Sequence, residues 1–284
     1  MPTLAALITV YHRIVPEELS AALDSLATQT RPAEEIVIVE DGPVGAELRA
    51  VIDAFVEKHA EARTVVLARN QGAGPASAAG MATIDAELVG RLDADDIAEP
   101  TRFEEQLRVA DGHDDPSSST GPAPDVIGTA MAEFDDDLGG EITGIRALPE
   151  THEEIAAYAR MNSPINNPSV MYRTARVKKV GGYRDAPYME DYDLWARLLA
   201  DGARFVNLPA PLTRFRVTGM LDRRRSKGIV AAEKRMQATL VELGLVSRPR
   251  AAFNFAARSA FRLLPTGLLG RAYRALFNRR ASRR

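Results

Sequence analysis

Asp93, Asp95 and Asp96 place three carboxylates within four positions, directly after the apolar run Leu88–Leu92. Asp93 and Asp95 stand two residues apart and can share a hard divalent ion such as Mg²⁺ or Mn²⁺, with diphosphate oxygens completing its coordination. The same composition also fits an acidic surface turn. A second acidic group, Glu190-Asp191, lies in Tyr188-Met189-Glu190-Asp191-Tyr192-Asp193-Leu194-Trp195. There a carboxylate can take the proton of an attacking hydroxyl, as a general base. Acids opening a helix also have a structural explanation in capping and in the helix dipole. Thr9 and Tyr11 close a first apolar run, and Asp41 closes a second. A tyrosine ring can stack on a nucleotide base, and a carboxylate can accept from a base N–H or a ribose hydroxyl. Tyr11 on its own equally suits a core aromatic.

For these groups to meet, they must lie at one edge of a sheet. Ala5–Tyr11, Glu35–Glu40 and Arg63–Leu67 read as short buried strands. Between them, Pro16 opens a helical pattern through Leu19, Ala22, Leu23 and Leu26, and Leu48, Val51, Ile52 and Phe55 repeat at helical spacing. This alternation predicts an α/β protein built on a mostly parallel sheet flanked by helices. A Gly/Ala-rich helix over Gly74–Ile84 and a strand over Leu88–Leu92 continue it. In such sheets ligands bind beyond the C-terminal strand ends, where the Asp93 cluster, Thr9 with Tyr11, and Asp41 fall. Farther on, Asp111–Asp125 is a polar surface loop. Val126–Phe134 and Glu141–Leu148 are strands, and Thr151 with Glu154 forms a capping box for a helix to Met161. Val170–Tyr172 is extended, Gly181-Gly182-Tyr183 turns, and Tyr188–Ala200 is an amphipathic helix.

The 284 residues contain no cysteine, which excludes thiolate catalysis and Cys-ligated metal and suits a reducing compartment. No apolar run approaches the roughly 18 residues of a membrane span, and the N-terminus lacks the flanks of a signal peptide. A cytoplasmic protein is expected. The net charge of −3 hides an asymmetry, since residues 243–284 hold ten arginines and no acid, leaving 26 basic against 39 acidic groups before them. A dinucleotide-dependent oxidoreductase fits poorly: Val10-Tyr11-His12-Arg13 has no glycine, and Ser77 stands where Gly72-Ala73-Gly74 would need a third one.

The ordered set of motifs resembles the family 2 glycosyltransferases with a GT-A fold. It comprises Ile8-Thr9-Val10-Tyr11, Ser25-Leu26-Ala27-Thr28-Gln29-Thr30, Ile36 to Pro43, Asn70-Gln71-Gly72, Leu92 to Asp96, Val180-Gly181-Gly182-Tyr183 and Glu190 to Trp195. Pro149 to Ile155, Asn167-Pro168-Ser169-Val170-Met171 and Arg223-Arg224-Arg225 make it most similar to the exopolysaccharide-assembly members of the amylovoran type. The resemblance implies transfer of one sugar, a hexose for preference, from a UDP- or dTDP-sugar in a single displacement with inversion. Thr9, Tyr11, Asp41 and Asn70 would hold the nucleotide. Asp93, Asp95 and Asp96 would surround Mn²⁺ or Mg²⁺, with Asp95 the direct ligand, and Asp93 would also serve the nucleotide sugar. Asp191 would be the base and Glu190 would orient the acceptor or the loop, with Asn167 and Trp195 on the acceptor side. Arg214, Arg216, Arg223 and Arg224 would close over the diphosphate as a mobile loop, or else form a solvated basic surface. Two departures matter. Pro75 to Gly80 replaces the family's Ala-Arg-Asn segment, and the Gln-x-x-Arg-Trp segment of processive synthases is missing.

Residues 1–100 are thus expected to form a nucleotide-sugar half, 101–245 the acceptor half of the same domain, and 246–284 a basic amphipathic helical tail. In that tail Ala252, Phe253, Ala256, Ala260, Phe261 and Leu264 share one helical face, beside Arg258 and Arg262. After Pro265-Thr266-Gly267 the pattern resumes through Leu268, Leu269, Ala272, Tyr273 and Leu276. Such segments suit the inner face of an anionic membrane, where a lipid-linked saccharide acceptor would be met. They equally suit packing on the body or on a twin subunit in a homodimer. No nucleic-acid motif is present, so nucleic acid is not an expected partner. A non-catalytic membrane-associated scaffold is the competing reading.

Overall fold

The structure, a computed structural model, describes residues 2–112, 123–136, 139–217, 228–262 and 278–279. Four parallel strands form its centre: β1 (Leu4–Val10), β2 (Glu35–Glu40), β3 (Ala62–Val66) and β4 (Leu88–Asp93). They lie in the order β3-β2-β1-β4, every neighbouring pair parallel. Their nearly continuous apolar sequences follow from burial on both faces. Helices α1 (Pro16–Ala27) and α2 (Ala46–Lys58) cover one face, and α3 (Ala73–Ala82) crosses to the other. Leu4, Ala6, Ile8, Ile36 and Ile38 point into the first layer, while Ala5, Leu7, Val37 and Val39 point into the second. This alternation is the period-two rule of a strand.

β5 (Ile97–Ala98) and α4 (Arg102–Ala110) follow the acidic turn. The sheet then extends through antiparallel β8 (Met171–Arg173) to β6 (Val126–Asp135) and β7 (Glu141–Arg146), with the two-residue β10 (Asn278–Arg279) on β7. Strand β9 (Phe205–Arg216) runs parallel to β6 and also pairs with β5. Its register slips near Pro209 and Pro211, residues without an N–H for the ladder. The capping box of Thr151 and Glu154 is formed, but α5 (His152–Tyr158) stops short of the expected Met161. A 3₁₀ turn at Asn167–Ser169 and α6 (Thr174–Lys179) precede α7 (Glu190–Ala200), which starts two residues later than its sequence pattern implied.

Helix α7 is buried on two sides. Leu194, Trp195 and Leu198 pack under the sheet. Met189, Tyr192 and Ala196 pack against α8 (Ile229–Glu242) and α9 (Arg248–Arg262). Val246 and Ala251 join this cluster, so the start of α9 continues the packed body. Among the described residues, no helix is long and apolar enough to cross a membrane.

Candidate active site

The parallel strands carry the first part of the site by register alone. Thr9 of β1 lies opposite Asp93 of β4 and Val39 of β2, so Thr9, Asp41 and Asp93 emerge at the same sheet edge. Tyr11 is half-buried there, its ring edge-on to His12 at 5.7 Å, and is not a core aromatic. Asp41 is held hard. Its two carboxylate oxygens accept from the backbone N–H groups of Gln71 and Gly72 at 2.7 and 2.9 Å, and Asn70 Nδ2 donates to its carbonyl at 3.1 Å. Gly42 makes this approach possible: at φ +83°, a Cβ there would meet Asn70 N at 2.3 Å. The exposed Asn70 and the buried Asp41 are thus one unit joining β2 to the loop before α3.

Asp93, Asp95 and Asp96 each offer a carboxylate oxygen, all within 4.8 Å of one another. Asp96 is fully buried, accepting from the Arg216 backbone N–H at 2.9 Å through one oxygen, while its other oxygen, Oδ2, has no hydrogen-bond partner. Burial, then the charges of Asp95 and Asp93, push its pKa well above the ordinary carboxylate value. A buried carboxylate oxygen left without a donor among two further carboxylates fits a cation. The β5–β9 pairing, Ile97 opposite Arg214, holds this turn in place.

Arg216 is not a cation waiting for a diphosphate. Only 8% exposed, its guanidinium donates to the Asp95 carbonyl at 2.9 Å, binds Asp136, and lies 3.4 Å from Glu18. It also sits over the Phe134 ring at 4.6 Å. Its role is to brace the acidic turn. Arg214 pairs with Glu99 at 2.7 Å on the surface. Arg223 and Arg224 lie outside the described residues.

The Glu190-Asp191 pair arrives on the first turn of α7. Gly74 of α3 permits this, because a Cβ there would meet the Arg184 carbonyl at 2.3 Å and Glu190 Cβ at 3.1 Å. The residue before the turn, Tyr188, has φ +68° and is half exposed, a backbone conformation unusual for a tyrosine. Burial and the neighbouring Asp191 raise Glu190 to about 7. Burial likewise raises Asp191, against the Tyr192 N–H donated to it at 2.7 Å, the charges of Arg91 and Arg146, and Ser163 Oγ at 3.3 Å. A carboxylate raised towards neutrality has the proton affinity a general base needs.

Three contributors went unassigned in the sequence. Arg91, 2% exposed, donates to Asp93 Oδ1 at 3.0 Å and to Ser77 Oγ, and its charge also reaches Glu190 and Asp191. It shares a strand face with Asp93, two residues on, so the period-two rule could have placed it. Ser163 and Arg146 come from a loop and from β7 and carry no local signal. Asn167, in the 3₁₀ turn, is partly buried with Oδ1 unpartnered. Trp195 is not an acceptor platform. It is fully buried, 6.2 Å from the Tyr172 ring and 6.5 Å from the Phe205 ring, because a helix residue five positions past Glu190 points away from the first turn and under the sheet.

Residues 5–127 match the model of the family described as Glycosyl transferase family 2. An uncharacterized glycosyltransferase of Haemophilus influenzae is 35% identical over 276 residues, covering 97% of this chain and 99% of its own. The chain belongs to glycosyltransferase family 2. The amylovoran biosynthesis glycosyltransferase AmsE of Erwinia amylovora is 34% identical over 93% of this chain and 96% of its own. An Escherichia coli UDP-Gal:alpha-D-GlcNAc-diphosphoundecaprenol beta-1,3-galactosyltransferase is 30% identical over 98% of both chains. Among solved structures, S. aureus TarS 1-349 in complex with UDP-GlcNAc superposes with a TM-score of 0.64 at 14% identity, covering 97% of this chain and 73% of that one. The Pyrobaculum calidifontis mannosyltransferase PcManGT, in complex with GDP-Man and Mn²⁺, superposes at 0.58 and 16%, covering 97% and 80%. The fold is the expected GT-A fold, and this family 2 glycosyltransferase is an enzyme.

Proposed function

We propose that this glycosyltransferase is metal-dependent and inverting, moving one sugar from a UDP- or dTDP-sugar to a lipid-linked saccharide during cell-surface or exopolysaccharide assembly. One observation carries this reading: the buried Arg91 donates to Asp93 in the acidic cluster at the end of β4, and its charge also reaches Glu190 and Asp191 at the start of α7. A guanidinium within electrostatic reach of both acidic groups supports one site for donor and acceptor. The nucleotide is assigned to Thr9, Tyr11 and the Asp41–Asn70 unit. Asp93, Asp95 and Asp96 would hold Mn²⁺ or Mg²⁺, which when bound neutralises negative charge gathering on the departing diphosphate. Asp191 removes the acceptor hydroxyl proton as that oxygen attacks the anomeric carbon, and Glu190 with Asn167 orients the acceptor. A single carboxylate base suffices for displacement with inversion. The uridine nucleotides named for TarS and for the E. coli relative favour a UDP-sugar donor, and that relative's diphosphoundecaprenol-linked acceptor favours a lipid-linked one.

Turnover of a nucleotide-sugar panel by the purified chain, with and without EDTA, tests this reading. The expected result is UDP- or dTDP-sugar turnover that EDTA abolishes and Mn²⁺ restores, with the product anomer inverted by NMR. Failure to bind any nucleoside diphosphate with Mn²⁺ would leave the non-catalytic scaffold.

Helix α9 adds a membrane contact to this reading. Ala252, Phe253, Ala256 and Ala260 are exposed on one face, with Phe253 60% exposed. Arginine-rich and lacking acids, this segment suits an anionic inner leaflet. Co-sedimentation with anionic but not zwitterionic vesicles, weakened by Phe253→Ser, is expected. A dimer in solution that buries this face would replace the membrane with a twin subunit.

A further inference from the structure

The turn that follows α5 is gripped from outside. Three consecutive carbonyls are each taken by a side chain: Ala159 by Tyr192 Oη at 2.6 Å, Arg160 by Asn254 Nδ2 at 2.7 Å, and Met161 by Arg258 Nη1 at 2.8 Å. Arg258 also donates to Asn162 Oδ1 at 2.5 Å. Tyr192 belongs to α7, whereas Asn254 and Arg258 belong to α9.

Behind these donors stands a closed polar network. Arg258 Nε donates to Glu233 Oε2 at 2.8 Å, and Glu233 is fully buried. Gln237 Nε2 donates to Glu233 Oε1 at 2.9 Å, and Asn254, also fully buried, donates to Gln237 Oε1 at 3.2 Å. A buried ion pair is weak evidence of stability, since desolvation offsets much of its attraction. What it does supply is fixed geometry, here two donors aimed at one turn.

The turn ends at Ser163, whose hydroxyl lies 3.3 Å from Asp191 Oδ2 and 3.5 Å from the Ile165 carbonyl. One hydroxyl proton serves only one acceptor at a time, so the placement of the turn decides whether Asp191 receives it. The other carboxylate oxygen accepts from the Tyr192 N–H.

We propose that Arg258 and Asn254 are positioning residues: by fixing the 159–163 turn they seat Ser163 against Asp191 and hold that carboxylate in line for the acceptor hydroxyl. The inference rests on Asp191 as the base. It makes the C-terminal helix pair part of the catalytic half, whatever its outer face meets.

The test uses the full chain and compares Ser163→Ala, Arg258→Lys, the charge-neutral double variant Glu233→Gln/Arg258→Met, and the triple variant combining the first and last. UDP-galactose and UDP-N-acetylglucosamine serve as donors, with UDP release as the readout, and Arg235→Ala, an exposed arginine of α8, is the control. Ser163→Ala and the double variant are each expected to lower kcat about tenfold, the scale of a modest misplacement of a reacting group. The donor KM stays within about twofold, because the nucleotide residues lie on other elements. Arg258→Lys recovers part of the loss, and the triple variant is no slower than Ser163→Ala, since all act through one contact. Unchanged kcat in the folded double variant, or losses that multiply in the triple, would overturn the proposal. If the double variant does not fold, Ser163→Ala with unchanged kcat overturns it alone. Asp191→Asn run in parallel separates the two failures. If Asp191→Asn keeps turnover, the base assignment falls; if it loses turnover while the other variants keep theirs, only the positioning role falls.

Discussion

Strands β1 to β4 and the described elements from β6 to α9 contribute to the proposed site in different ways. In the first region, parallel strands in register carry Thr9, Asp41 and Asp93 to one edge, and each residue's place follows from its position along its own strand. In the second, Ser163 comes from a loop, Arg146 from β7 and Asp191 from α7, and what brings them together is side-chain hydrogen bonding across long sequence separations. Backbone ladders tolerate substitution of most side chains. A cleft wall held by side chains fails one residue at a time.

Removing charge from the β4 end separates the two regions most clearly. Asp95→Ala is expected to lower transfer on the order of a thousandfold, the scale of several kcal/mol of lost charge stabilisation, and to abolish Mn²⁺-dependent UDP binding in calorimetry. The strand register should survive, so circular dichroism stays as in the parent. Retained Mn²⁺-dependent binding would remove the metal assignment.

Next in size is a packing loss on the other side of the cleft. Trp195→Ala should cost about 3–5 kcal/mol of stability in denaturant unfolding, as for a large core aromatic. Trp195→Phe, by contrast, should keep the acceptor KM. An acceptor KM that rises steeply in a stable Trp195→Phe would return this residue to the cleft.

The smallest effect is a shift along the pH axis. Burial raises the pKa of both Glu190 and Asp191 in the folded protein, Glu190 to about 7. The base works only when ionised, and burial raises the pKa of Asp191, so kcat/KM should begin to fall at a pH above the ordinary carboxylate range. Glu190→Gln removes the like charge beside Asp191, so the acid limb should move to lower pH. A limb that stays in place would assign the titration to another group.

How legible each region was follows from the same physics. The runs Ala5–Tyr11 and Glu35–Glu40 announce buried parallel strands through continuous apolar residues, and the acids at their ends mark the edge. Strand β9 was not foreseen, because Pro209 and Pro211 interrupt its pattern while β6 still holds it through a register slip. Helix α7 looked like an ordinary amphipathic helix, but it is buried on two faces, so Trp195 reads as available when it is core. Arg216 looked like a loop cation because nothing local reveals Glu18 and Asp136, far away in sequence. Likewise the sequence sets Arg258 beside the apolar face of the tail, and nothing local marks Asn254. Both turn inward because the carbonyls after α5 need donors.

Asp191 is proposed to take the acceptor proton at a site whose nucleotide side is built independently by β1, β2 and β4. Sugar transfer and UDP–Mn²⁺ binding measured together for Asp191→Asn test it most directly. Transfer lowered by about 10²–10⁴-fold, with nucleotide binding unchanged, is the predicted result. Undiminished transfer by that variant would contradict it.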